Sequence, residues 1–190
     1  MKIITGIYGG RRFEAPRNLQ ARPTTDLAKQ ALFNILQNRI PLEDILALDL
    51  FSGTGSISFE LLSRGAEKVV SVEMGRQQQL FIQKVAQELK VPAAKHQLIR
   101  GDVFRYLSGR PLKPFDFIFA DPPYALADLS KLPSLVLREE WLAPEGLFVL
   151  EHGKENDFSE VEGFVELRTY GAVHFSFFER KGAVSKATAK

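Results

Sequence analysis

Between residues 45 and 151 the chain alternates between short apolar runs and segments whose apolar residues recur at helical spacing. The runs lie at 45–50, 68–73, 96–100, 115–120 and 147–151, and helical stretches are predicted at 56–64, 76–90 and 102–108. In the second stretch Leu80, Phe81, Val85 and Leu89 share one face, and Pro92 follows. A further helix is predicted over 129–142, with Pro133 early in it, and the turn 143–146 separates it from the fifth run. Residues 164–170 and 173–179, joined near Gly171-Ala172, read as a closing antiparallel pair. Alternation of this kind predicts an α/β fold, a mostly parallel sheet with helices on both faces. In such sheets ligands bind at the carboxyl ends of the strands, so function is to be sought there.

Each of the first four strand ends carries polar or glycine-rich residues. The first supplies Asp49, Phe51, Ser52, Gly53, Thr54 and Gly55, where glycines allow a sharp turn and close backbone approach to a ligand. The second ends in Glu73, 20 residues after Gly53, where an acid can accept hydrogen bonds from ribose hydroxyls. The third is followed by Asp102 and Val103, an acid beside an apolar residue, suited to an adenine amino group and ring face. The fourth runs into Asp121-Pro122-Pro123-Tyr124. Pro122 keeps Asp121 out of helical geometry, and neither proline can donate to a neighbouring strand. The result is a stiff bend presenting a carboxylate, carbonyl acceptors and an aromatic ring. Alone it could be an ordinary turn; beside the other three strand ends it suits a planar group bearing an amine.

A dinucleotide site would want a third glycine where Ser58 stands. Asp49, just before the loop, would also disfavour a pyrophosphate. A carboxylate is better matched to a cation, and S-adenosylmethionine has a sulfonium, an amino group and no phosphates.

Charge is unevenly spread. Residues 1–40 hold seven basic and two acidic side chains, residues 41–179 hold 14 and 21, and the last eleven residues hold four basic ones. A basic start on an acidic body suggests a polyanionic partner. Gly9-Gly10-Arg11-Arg12, flanked by Ile3, Ile4, Ile7, Tyr8 and Phe13, reads as a short hairpin with an arginine pair near its tip. Arg22-Pro23-Thr24-Thr25-Asp26 carries a helix-start signature before a helix predicted over 25–38. Three segments are therefore expected: an extension at 1–40 that contacts the partner, a main domain at 41–181, and a disordered tail at 182–190.

The chain has no cysteine, which excludes disulfides, cysteine-based metal sites and a cysteine nucleophile. No His/Asp/Glu grouping has metal-ligand spacing, so no metal is expected. There is no apolar run of about 18 residues, and a cytoplasmic monomer is expected.

With these residues in view, the chain resembles class I S-adenosylmethionine-dependent methyltransferases, specifically the RsmD-type bacterial 16S rRNA guanine-N2 methyltransferases. The resemblance covers residues 1 to about 180. Gly9-Gly10-Arg11-Arg12, Arg22-Pro23-Thr24-Thr25-Asp26, Leu32-Phe33-Asn34, the 48–55 segment and Asp121-Pro122-Pro123-Tyr124 carry it. It implies a Rossmann-like seven-stranded sheet with an N-terminal hairpin and helix. It also implies cofactor held by the glycine loop and Glu73, and small-subunit rRNA methylated on a guanine exocyclic amine. Asp121, Pro122, Pro123 and Tyr124 would then form the catalytic turn, and Arg11, Arg12 and Arg22 would meet RNA. The chain departs from many relatives at Gly75, where they place an acid, and from the wider amino-methylating group at Asp121, where Asn is frequent. Alternative functions are an amino methyltransferase acting on DNA adenine or protein glutamine, a nicotinamide-dependent oxidoreductase, and a non-catalytic RNA-binding module.

Overall fold

The computed structural model describes residues 1–16, 19 and 26–180. The predicted start of the first helix at 25, the arginine at position 22 and the tail at 182–190 lie outside the described residues. In chain order the elements are α1 (Asp26–Leu36), β1 (Leu46–Leu50), α2 (Ser56–Ser63), β2 (Lys68–Glu73), α3 (Arg76–Glu88), β3 (His96–Arg100) and α4 (Val103–Leu107). There follow β4 (Phe115–Ala120), a 3-10 turn at Leu129–Lys131, α5 (Leu132–Val136), β5 (Leu142–His152), β6 (Phe164–Tyr170) and β7 (Val173–Glu179).

One sheet of seven strands takes the order β3-β2-β1-β4-β5-β7-β6. The expected parallel arrangement holds from β3 to β5, while β7 runs antiparallel to both β5 and β6, so the sheet as a whole is mixed. The chain leaves β1 towards β2 and β3 on one side and returns to β4 and β5 on the other. The switch point therefore falls between β1 and β4, where such sheets open a crevice. Side chains alternate across the strands. Ala47, Val69, Phe117, Phe119 and Val149 enter one core with Leu32, Phe33, Phe59 and Phe81 of α1, α2 and α3. Leu48, Leu50, Val70, Ile118 and Leu150 enter a second core with Val103, Leu107, Leu132 and Val136 of α4 and α5. Helices thus cover both faces, as the alternation predicts.

Two expected elements differ. The helix expected at 129–142 is reduced to a 3-10 turn and five residues of α5, because Pro133 restricts it to an N-terminal position and β5 begins at Leu142. Residues 143–146 do turn, but inside β5: Phe115 pairs with Leu142 and Phe117 with Leu147, so the intervening residues bulge out of the ladder. The N-terminal hairpin forms: Lys2 bridges Arg12, Met1 and Phe13 exchange hydrogen bonds, and Ile3 N–H donates to the Arg11 carbonyl. Further donors towards its tip are taken by α2. Ile4 and Thr5 N–H donate to the Glu60 carboxylate at 2.7 and 3.1 Å, Ile7 N–H to the Ser63 carbonyl, and Tyr8 N–H to Ser63 Oγ.

Glu60 therefore fastens the N-terminal segment to α2. It is fully buried and also accepts from Arg64 Nε at 2.9 Å, with Lys29 Nζ of α1 at 3.3 Å. Lys29 donates in turn to Ser56 Oγ, at the start of α2. A buried charge left unpaired would be costly, and here each has several partners.

Candidate active site

The carboxyl ends of β1 to β5 open into a cavity of about 1060 Å³. Phe51, Gly53, Glu73, Asp102, Val103, Asp121, Pro122, Pro123 and Tyr124 all line it, and they come from all four strand ends in which the sequence concentrates polar residues and glycine. Leu27 and Ala28 of α1 add an apolar side, and Thr169 to Val173, the turn between β6 and β7, closes another.

The loop after β1 is built for close approach. Phe51 takes a φ of 59°, unusual for a residue with a side chain, and Gly53 and Gly55 take 55° and 74°. A Cβ at Gly55 would stand 2.9 Å from the Phe59 ring, so glycine is required by space as well as by φ. Glu73 braces this loop: one carboxylate oxygen accepts from Gly53 N–H at 2.8 Å and the other from Gly75 N–H at 2.7 Å. Gly75, where the resemblance leads one to look for an acid, thus contributes its backbone. Asp102 accepts from Arg105 N–H at 2.8 Å and caps α4 while remaining exposed at the cavity edge.

Asp49 does not line the cavity. It is 2% exposed and accepts from Ser58 N–H and Oγ, so it caps α2 from beneath the loop. Burial pushes its carboxyl up to about 7, against the hydrogen bonds from Ser58. Ser52, Thr54 and Gly55 do not line the cavity either; Ser52 Oγ donates to the Asp49 carbonyl.

Strand register places the acids. Leu50 pairs with Val72 and with Ala120, and Ala120 pairs with Leu150. Glu73, Asp121 and Glu151 come directly after those residues at one level, on the sheet face covered by α1–α3, with Asp49 two residues lower on that face. Asp121 N–H donates to the Leu50 carbonyl, anchoring the turn to β1. Burial, then the charges of Glu151 and Asp49, hold the Asp121 carboxyl well above the ordinary carboxylate range. Pro123 accepts from Leu126 N–H, which closes the turn, and Tyr124 is 44% exposed at the mouth.

Glu151 is a site residue that sequence reasoning misses. It is 5% exposed, ends the fifth strand run and lines the cavity. The signal is present in the sequence, since it ends a strand in an acid as Glu73 does. The β6–β7 turn is a second such case, because its sequence suggests only strand packing.

Arg11 and Arg12 stand away from this cavity. Arg11 packs over Phe13 and reaches the Glu88 carbonyl at 3.5 Å, at the far end of α3. The near end of that helix carries Gln78, which lines the cavity. Ten residues of helix separate Gln78 from Glu88 by roughly 15 Å.

The row of acceptors, the glycine loop and the aromatic turn would hold a nucleoside-like ligand with an electrophilic group near Asp121. S-adenosylmethionine fits: Glu73 and Asp102 offer acceptors to ribose and adenine, and Gly53 offers close backbone approach. Residues 1–179 match the family model described as "Conserved hypothetical protein 95". Ribosomal RNA small subunit methyltransferase D of Haemophilus influenzae is 31% identical over 182 residues, covering 94% of this chain and 93% of the relative. The Escherichia coli K12 protein of the same name is 30% identical over 184 residues, covering 95% of this chain and 90% of the relative. Among solved structures, a candidate methyltransferase from Escherichia coli superimposes with a TM-score of 0.81 at 28% identity, over 95% of this chain and 97% of the other.

Proposed function

The chain belongs to the RsmD-type methyltransferase family, whose members use S-adenosylmethionine, and from that premise we propose that it methylates the exocyclic N2 amine of a guanine in small-subunit ribosomal RNA. The observation that carries the reading is Asp121 at the switch point: a half-buried acceptor at the end of β4, beside the loop suited to the cofactor. When bound, the cofactor supplies a methyl group made electrophilic by its sulfonium.

The protein's part is positioning. A guanine amine is a poor nucleophile because its lone pair is delocalised into the ring. The Asp121 carboxylate and the Pro122 carbonyl accept its two N–H groups, which favours the pyramidal, nucleophilic geometry. Tyr124, exposed at the mouth, stacks on the base. Pro122 and Pro123 keep the turn stiff, so these acceptors are held before the base arrives. Gly53 and Glu73 hold the cofactor's methionine and ribose ends, and Asp102 with Val103 takes adenine. Asp49, Ser52, Thr54 and Gly55 act from behind, by fixing the loop. A base must leave its stack to enter, at about a few kcal/mol. Arg11 and Arg12, with Arg22, supply phosphate contacts that offset this. Their distance from the cavity fits an RNA segment lying along α3 as its target base enters. A cytoplasmic protein acting as a monomer on ribosomal RNA or a particle containing it accords with this reading.

The test is transfer of labelled methyl groups to RNA, DNA and protein, followed by identification of the product. N2-methylguanosine from small-subunit rRNA is expected. Methylated adenine in DNA, or methylated glutamine, would contradict the reading and favour the corresponding alternative.

A further inference from the structure

Glu151 stands on the side of Asp121 away from the residues assigned to the cofactor. Asp102, Glu73 and the glycine loop lie at the ends of β3, β2 and β1; Asp121 lies at the end of β4; Glu151 lies at the end of β5. At the usual strand spacing Glu151 lies about 5 Å beyond Asp121 and about 15 Å from Glu73. The residue therefore lies on the side of Asp121 beyond the reacting amine of the proposed function. It is buried, it lines the cavity, and its charge helps raise the Asp121 carboxyl.

The three amino-bearing bases differ next to the amine. Guanine has N1–H there, a donor. Adenine has N1 and cytosine has N3, both acceptors. Ionised carboxylates only accept. Guanine's run of N–H donors satisfies two adjacent carboxylates and favours their ionised forms against the upward push on Asp121, whereas adenine or cytosine sets a ring lone pair against one of them. We propose that Glu151 is the specificity-determining residue for guanine: its carboxylate accepts the N1–H while Asp121 accepts from the N2 amine of the same base. The inference rests on the proposed guanine methylation. A site built to hydrogen-bond one edge rejects an edge that leaves its buried groups unmatched, by factors that reach about 10⁴.

Glu151→Gln tests it, because an amide can donate to a ring nitrogen as well as accept. Glu151→Asp, which keeps the carboxylate, is the companion variant. Substrate is small-subunit rRNA, or particles assembled from it, carrying either guanine or adenine at the mapped target position. Labelled S-adenosylmethionine reports the two rates, and S-adenosylhomocysteine titration reports the cofactor side. The wild-type protein should methylate guanine strongly over adenine. In Glu151→Gln the guanine-to-adenine rate ratio should fall at least about tenfold, in line with loss of one charge-assisted hydrogen bond. Glu151→Asp should restore part of the ratio, and S-adenosylhomocysteine affinity should stay within about threefold in both. An unchanged ratio in Glu151→Gln would overturn the inference, since a merely structural residue lowers both rates together. Loss of S-adenosylhomocysteine binding by both variants would overturn it too, as would equal use of adenine by the wild type. Failure of the wild type to methylate guanine at all would instead remove the proposed function on which the inference stands.

Discussion

Glu73 and Asp121 stand at one level of the sheet, two strands apart, and the fold surrounds their carboxylates differently. Glu73 receives two backbone N–H groups, from Gly53 and Gly75. Asp102 receives one, from Arg105, and Asp49 one, from Ser58, with the serine hydroxyl beside it. Across the switch point, Asp121 is half-buried with the buried Glu151 as a near neighbour, and its carboxyl is held well above the ordinary carboxylate range. The side proposed to hold the cofactor is thus a preorganised frame whose acids hold loops in place. On the side proposed for the acceptor, burial and the charge of Glu151 raise the Asp121 carboxyl, and N–H donors from the proposed substrate would favour its ionised form. On the proposed function, binding of donor and activation of acceptor should therefore be separable by mutation.

The largest effect should come from the acceptor side. Asp121→Ala should lower turnover about 10²- to 10³-fold, measured as labelled methyl transfer, while S-adenosylhomocysteine still binds with near wild-type affinity. A parallel loss of binding would break the division between the two sides. On the cofactor side the pattern reverses. Glu73→Gln should weaken cofactor binding about 10- to 100-fold by isothermal titration, with turnover recovered at saturating cofactor.

A third test addresses Asp49, whose carboxyl is raised to about 7 by burial. A raised acid binds more protons folded than unfolded, so its contribution to stability is full below about pH 4 and is lost as pH rises towards 7. Asp49→Asn should therefore gain in melting temperature relative to wild type between pH 5 and pH 8. An advantage that shrinks with rising pH would contradict the assigned cause. The smallest effect is expected at Arg11 and Arg12. Alanine at both should flatten the salt dependence of RNA affinity by roughly 0.7 in slope per lost phosphate contact, leaving cofactor affinity alone. An unchanged slope would confine RNA contact to the cavity end.

Much of this frame is legible in the sequence because it is local. Apolar runs and helical periods mark β1 to β4 and α1 to α3, and glycine or proline turns mark the ends of β1 and β4. The illegible parts depend on which strands become neighbours. Glu151 lies 30 residues after Asp121, and only the β4–β5 register places the two at one level. The turn at Thr169–Val173 reaches the cavity because β7 inserts beside β5. The N-terminal hairpin is legible from its glycines, but its docking is not: Ile4 and Tyr8 N–H are claimed by Glu60 and Ser63, more than 50 residues later. Arg11 shares that fate: its chemistry is visible in the sequence and its distance from the cavity is not. Asp49 is the converse case, since an acid before a glycine loop reads as ligand-facing until Ser58 is found to take its carboxylate.

The most direct measurement is nucleoside mapping of small-subunit rRNA from cells with this gene deleted, then complemented with the wild type or with Asp121→Ala. One N2-methylguanosine should be missing in the deletion strain, return with the wild type, and stay absent or strongly reduced with the variant. An rRNA whose N2-methylguanosine content is unchanged by the deletion would contradict the account.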